Sequence, residues 1–216
     1  MRYPYVLLDL DGTLLDTAGG IMASIKDTLR VMKLPTPSAA ELRSFVGPPI
    51  RDSFQRVCRL NDADATAAQD HFRTVYPQKF LFDAEEYPGM KELLASLKAA
   101  GVHLGVATNK PTWYAVPLLE HFGMSPRFEV MLGSDEVLTN KTMVVDACLA
   151  RMGFSKGEKA VLIGDTIHDQ HGAQKSGIDF LAVTYGYGFE AGASCAACGA
   201  VAVCADAREI GSFLLG

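Results

Sequence analysis

Asp9-Leu10-Asp11-Gly12-Thr13 sets two carboxylates two residues apart at the end of a short apolar run. On a strand, residues two apart face the same side. Such a pair can address one reacting centre in two roles: one carboxylate attacks, while the other protonates a leaving oxygen and later activates water. Similar groups follow three later apolar runs. Thr108-Asn109-Lys110 follows 103–107, Lys141 lies beyond 128–132, and Gly164-Asp165 closes 161–163 with Asp169 four residues on. Thr108 offers a hydroxyl donor, and Lys141 a point charge for phosphate oxygens. Like charges gathered this closely do not all stay ionised unless a cation neutralises them. Carboxylate oxygens with room for water suit Mg²⁺. Phosphoryl transfer asks mainly for positioning and charge neutralisation, which this set offers.

These side chains need a frame that gathers them. Residues 5–8, 103–107, 128–132, 161–163, 180–183 and 200–203 read as strands. Helix-like segments separate them: 91–100 carries Leu93, Leu94 and Leu97 on one face and stops at Gly101, and 142–152 stops at Gly153. Alternating strands and helices of this length predict βαβ units around a parallel sheet. In such sheets ligands bind beyond the carboxyl ends of strands, where the acidic residues, Thr108 and Lys141 fall. The segment 17–82 breaks the pattern. Ile21, Ile25, Leu29 and Met32 recur at helical spacing, as do Phe54, Val57 and Cys58 after Pro48-Pro49. The expected fold is α/β: a Rossmann-like parallel-sheet core made of 1–16 and 83–216, with 17–82 inserted as an all-helical domain.

Composition narrows the function further. The 216 residues carry 20 Lys+Arg against 25 Asp+Glu, a net charge of −5. That balance argues against a nucleic-acid polymer and against an anionic membrane surface as partner. No apolar run approaches the length of a membrane span, and the N-terminal run leads straight into Asp9 and Asp11 rather than a cleavage site. Five cysteines, an odd number, point to a reducing cytoplasm.

Asp9-Leu10-Asp11-Gly12-Thr13-Leu14 resembles the first motif of the haloacid dehalogenase-like hydrolase superfamily in its phosphatase form. Thr108-Asn109 is similar to the second motif, Lys141 to the third, and Gly164-Asp165-Thr166-Ile167-His168-Asp169 to the fourth. The helical insertion resembles that family's mobile cap. Val46-Gly47-Pro48-Pro49, Tyr87-Pro88-Gly89 and Tyr185-Gly186-Tyr187-Gly188 resemble its phosphoglycolate-phosphatase branch, although Thr142 stands where Pro usually follows the lysine. The resemblance implies that Asp9 attacks phosphorus and that Asp11 is the acid and then the base. It implies Mg²⁺ held by Asp9, the Asp11 carbonyl and Asp165, with Asp169 as a further or water-mediated ligand. Thr108, the Asn109 backbone and Lys141 would grip the phosphoryl group. The expected substrate is a small phosphorylated metabolite, with 2-phosphoglycolate as first guess and a 5′-nucleotide or pyrophosphate close behind. The protein is expected to be a monomer or homodimer. A sugar-phosphate mutase shares the motifs and differs in cap residues.

Other readings compete at particular residues. Arg51 follows Gly47-Pro48-Pro49 at the start of a cap helix and could reach a substrate carboxylate or phosphate; the alternative is a surface arginine. Asp9-x-Asp11-Gly12 lacks the later acidic positions of a calcium loop. Cys195-Ala196-Ala197-Cys198 with Cys204 has no local histidine to complete a zinc site and reads as incidental small residues, with a disulfide or redox pair as the alternative reading and a metal site behind it. Cys58 and Cys148 read as core, Trp113 as packing more than substrate contact, and His168 as exposed. A phospho-accepting receiver domain uses the same chemistry, but it carries its acceptor on the third strand and has no place for a helical insertion of roughly 65 residues.

Overall fold

The computed structural model describes residues 2–155 and 157–216. In chain order the elements are β1 (Tyr5–Leu8), β2 (Leu15–Asp16), α1 (Ala18–Val31), α2 (Ala39–Arg43), α3 (Ile50–Cys58), α4 (Asp62–Val75), β3 (Glu85–Glu86), α5 (Met90–Ala99), β4 (His103–Pro111), α6 (Thr112–His121), β5 (Val130–Ser134), α7 (Lys141–Arg151), β6 (Ala160–Gly164), α8 (Ile167–Lys175), β7 (Asp179–Val183), α9 (Cys195–Cys198), β8 (Ala202–Cys204) and α10 (Ala207–Leu215). The chain divides into two compact units, Met1–Leu15 with Glu86–Gly216, and Asp16–Glu85.

The first unit is built on a six-stranded sheet in the order β5-β4-β1-β6-β7-β8. Each neighbouring pair in it runs parallel. From β1 the chain fills one side of the sheet with β4 and β5, then crosses to the other with β6, β7 and β8. The order therefore reverses about β1, and the carboxyl ends of β4, β1 and β6 flank the place where such sheets hold ligands. Every residue of β1 and β6 is buried, as the apolar runs of central parallel strands require. Leu7, Ala107, Val145, Cys148, Leu162 and Phe180 belong to one core cluster beneath that edge.

Local chemistry starts the helices that carry site residues. The Asn140 side chain caps α7 by accepting the Met143 N–H at 3.1 Å, and Val144, Val145, Cys148 and Leu149 anchor the helix in the core. Its first residue is Lys141. Three strands differ from expectation. β4 runs on through Thr108 and Lys110 to Pro111, with a register shift against β5 between Ala107 and Pro111. β5 begins at Val130, because a 3₁₀ turn at Ser125–Arg127 takes the Phe128 N–H onto the Ser125 carbonyl at 3.2 Å. β8 covers Ala202–Cys204. Apolar runs alone do not separate a turn from the strand that follows it.

The regular elements inside the second unit are helices, joined by turns and coil; its boundary residues, Asp16 and Glu85, belong to β2 and β3, two strands that pair with each other. Ile21, Ile25 and Leu29 of α1 point inward, as do Ala65, Ala68, Phe72 and Val75 of α4. Phe45 meets Phe54 edge-on at 5.1 Å, and Phe72 stacks on Tyr76 at 5.1 Å. Cys58, expected in the core, is only half-buried because it lies at a helix end, and Met32, at the end of the α1 stripe, is likewise half-buried. A π-helical turn at Tyr76–Phe80 follows α4, where Pro77 has no N–H for the regular ladder. Among the described residues no helix is long and apolar enough to cross a membrane.

Candidate active site

β1 ends at Leu8, so the acidic pair stands in the turn beyond the strand rather than on it. The Asp9 N–H extends the ladder by one bond to the Ile163 carbonyl at 2.9 Å. The Leu10 carbonyl then accepts from the N–H groups of Thr13, Leu14 and Leu15 at 3.3, 3.0 and 3.0 Å. That tight coil, rather than strand alternation, sets Asp9 and Asp11. It relies on Gly12, whose φ is 84°, a conformation that favours glycine; a Cβ there would also overlap the Asp165 carboxylate.

Lys141 joins three elements. Its Nζ donates to Asp9 Oδ1 at 2.7 Å and to the Ala107 carbonyl at 2.9 Å, and lies 2.6 Å from Asp169 Oδ1. Asp169, on the first turn of α8, also accepts from the Thr166 N–H at 3.0 Å and hydroxyl at 2.7 Å through Oδ2. It therefore caps its own helix and orients Lys141 as well. Asp165 follows β6 directly, and its Oδ2 accepts the Tyr187 N–H at 2.6 Å. Asp9, Asp165 and Asp169 are all buried, and each offers an oxygen within 4.8 Å of the others.

Burial, with the Asp169 and Asp11 charges, pushes Asp9 up to about 7 against the pull of Lys141. Burial and the charges of Asp169 and Asp9 raise Asp165 well above the usual carboxylate range. Burial lowers Lys141, but the Asp169 and Asp9 carboxylates outweigh it and the ammonium is held more firmly than usual. With one ammonium paired to Asp9 and Asp169 and, among the described residues, none to Asp165, the three buried carboxylates leave excess negative charge. Such a set of hard oxygens accommodates a divalent cation.

The second carboxylate has its own cation. Lys110 Nζ donates to Asp11 Oδ1 at 2.9 Å, and the Lys110 N–H donates to Thr108 Oγ1 at 3.2 Å. Thr108 is buried at this edge, and the neighbouring Asn109 carbonyl accepts from the Ser134 hydroxyl at 2.6 Å. Thus Asp9, Asp11, Thr108, Asn109, Lys141, Asp165 and Asp169 all stand at the carboxyl edge of one sheet. In the sequence Lys110 stands at the strand end with no role of its own, and neither the backbone of Tyr187 nor Tyr185, whose hydroxyl donates to the Thr13 carbonyl at 3.0 Å, is a site candidate. The signal for Lys110 was strand alternation, which places it on the side of Thr108.

Gly47 and Arg51 belong to the other unit. Gly47 has φ 99° in the turn before α3. Arg51, in the first turn of α3, pairs with Asp62 at 2.6 Å. The cysteines are all free, with Cys195 exposed and Cys198 and Cys204 buried. Trp113, expected to pack, is 53% exposed at the start of α6, and Tyr114 takes the buried position. His168 is exposed.

A family model described as haloacid dehalogenase-like hydrolase matches residues 6–183. A 5′-nucleotidase from Pseudomonas aeruginosa is 34% identical over 192 residues, covering 88% of this chain and 86% of that protein. A phosphoglycolate phosphatase from Caulobacter vibrioides is 33% identical over 189 residues, 84% of this chain and 79% of its own length. The crystal structure of a predicted phosphatase from Clostridium acetobutylicum superposes with a TM-score of 0.90 at 35% identity, covering 100% of this chain and 99% of that one.

Proposed function

The chain belongs to the haloacid dehalogenase-like hydrolase family, and from that premise we propose a Mg²⁺-dependent phosphatase that hydrolyses small phosphomonoesters through a phosphoryl group carried on Asp9. Its similarities place it among the family's phosphatases, in the branch that resembles phosphoglycolate phosphatase. One observation carries the reading of the site: two carboxylates two residues apart, Asp9 and Asp11, each held by a separate buried lysine.

An Asp9 carboxylate oxygen attacks phosphorus in line with the ester oxygen, and the phosphorus–ester bond breaks. Asp11 gives its proton to the departing oxygen. Asp11, now a carboxylate, takes a proton from water as the water oxygen attacks phosphorus. The bond to Asp9 breaks, inorganic phosphate leaves, and both aspartates return to their starting forms. Lys141 holds the Asp9 carboxylate in place for attack. The Thr108 hydroxyl, the Asn109 N–H and the Lys141 charge hold the transferring oxygens. Asp9, Asp165 and the Asp11 carbonyl would hold Mg²⁺, which when bound neutralises charge between nucleophile and phosphoryl oxygens. Both Asp169 oxygens are already engaged by Lys141 and Thr166, which favours its acting through water.

The substrate is a small phosphorylated metabolite, with 2-phosphoglycolate first, and the protein works in the cytoplasm as a monomer or homodimer. A 5′-nucleotide is the second reading, favoured by the Pseudomonas aeruginosa relative. The test is a phosphate-release screen over phosphomonoesters with Mg²⁺, using Asp9→Asn as the blank. One substrate well above the rest is expected, together with a blank at background in a protein that melts cooperatively. Substantial phosphate release by Asp9→Asn would remove the nucleophile assignment. A flat, weak response across the panel would remove the small-metabolite reading.

A further inference from the structure

We infer that Lys110 is a positioning residue for proton transfer: it fixes Asp11 so that one oxygen is anchored and the other carries the proton. The inference rests on Asp11 being the acid and base. Its ground is the salt bridge from Lys110 Nζ to Asp11 Oδ1, 2.9 Å long, between side chains only 5% and 12% exposed. The torsion that orients an aspartate carboxyl is broad and nearly two-fold, so an unheld Asp11 would present either oxygen at many angles. An ammonium donating to Oδ1 removes that freedom. Because Oδ1 is then an acceptor, the proton passed to the leaving oxygen travels on Oδ2. The same lysine's N–H donates to Thr108 Oγ1 at 3.2 Å. One residue of β4 thereby sets the spacing between a phosphate-gripping hydroxyl and the proton donor.

The two lysines divide the work. Lys141 serves Asp9 and Asp169 and so acts on the nucleophile. Lys110 serves Asp11 and so acts on the leaving group. Their removal therefore has different chemical signatures. A leaving oxygen that is stable as an anion needs no proton, whereas an alkoxide does. Loss of a residue that positions the acid slows alkyl phosphates and spares activated aryl phosphates; loss of a phosphate-binding or structural lysine slows both alike.

The experiment measures kcat/KM, which reports the phosphoryl-transfer step, for the best alkyl phosphate of the screen and for 2,4-dinitrophenyl phosphate. The proteins are wild type, Lys110→Met, Lys110→Arg, Lys110→Gln and Asp11→Asn. For Lys110→Met the alkyl phosphate is expected to lose about 100-fold and the dinitrophenyl ester about threefold or less, within the range of general acid catalysis. Lys110→Arg keeps the charge and is expected to recover part of the alkyl-phosphate loss. Lys110→Gln repeats the test should the methionine variant not fold. Equal losses on both esters in the folded variants, or no loss on the alkyl phosphate, would overturn the role of Lys110. The Asp11→Asn control separates the two readings. If it shows the selective loss and the Lys110 variants do not, the positioning inference fails alone. If Asp11→Asn itself loses equally on both esters, the assignment of Asp11 as acid fails and the inference falls with it.

Discussion

Lys141 has three acceptors within 2.9 Å, the carboxylates of Asp9 and Asp169 and the carbonyl of Ala107. Its replacement leaves two buried carboxylates without a counter-charge, and breaking a buried ion pair in this way costs about 3–5 kcal/mol. Lys141→Met is therefore expected to lower the urea midpoint substantially as well as to abolish turnover. An unchanged midpoint would contradict the buried pairing. At this scale the acidic residues were legible in the sequence because their spacing is itself the signal. Lys110 was legible only in part: alternation sets it on the side of Thr108, but its partner, the Asp11 carboxylate 99 positions away in the chain and 2.9 Å from it, is a product of the fold.

Helices α7 and α8 meet where Gly172 faces the Lys141 stem, and a Cβ on Gly172 would overlap Lys141 Cγ. Alanine is the better helix former by roughly 0.5–1 kcal/mol, so the effect of Gly172→Ala on stability is opposed by a local gain. The lysine, however, must shift. Turnover is expected to fall about tenfold or more with a small change in melting temperature, since misplaced catalytic groups are costly. Unaltered kcat would show that Lys141 tolerates the displacement. In the helical unit Arg51 pairs with an exposed Asp62, a surface pair worth less than about 1 kcal/mol. Arg51→Ala is thus expected to leave the melting temperature nearly unchanged. The proposed substrate contact predicts a raised KM, and KM and kcat unchanged on every good substrate would end that role. The elements themselves were largely legible because strand runs and helix faces have distinct periods. Besides the shifted ends of β4, β5 and β8, the exceptions include the coil after β1 and the π turn at Tyr76–Phe80, local hydrogen-bonded turns that apolar periodicity does not encode.

For the molecule as a whole, the raised Asp9 carboxyl links stability to pH. Its value rises from 3.8 to about 7 on folding, so the folded chain binds this proton more tightly than the unfolded one. The stability that the group contributes is present below about pH 4 and is lost as pH rises through 7. In EDTA the melting temperature of wild type is expected to fall more steeply between pH 5 and 8 than that of Asp9→Asn. Mg²⁺, bound by the ionised carboxylates, is expected to raise the wild-type melting temperature more at pH 8 than at pH 5. Equal gains at the two pH values would count against the metal site. The same balance explains how a chain of net charge −5 could take an anionic substrate: the cations that matter are local, Lys141, Lys110 and the proposed Mg²⁺.

The sequence by itself determined the α/β class, the helical insertion and the order of the acidic motifs, because periodicity, spacing and turn residues are local properties of the chain. Only the tertiary structure decided that Asp9 and Asp11 stand in a coil beyond the strand, that Lys141 is shared between Asp9 and Asp169, and that Lys110 belongs to Asp11. Those pairings are choices among charges far apart in sequence, and they are made by which strand ends the parallel sheet brings side by side.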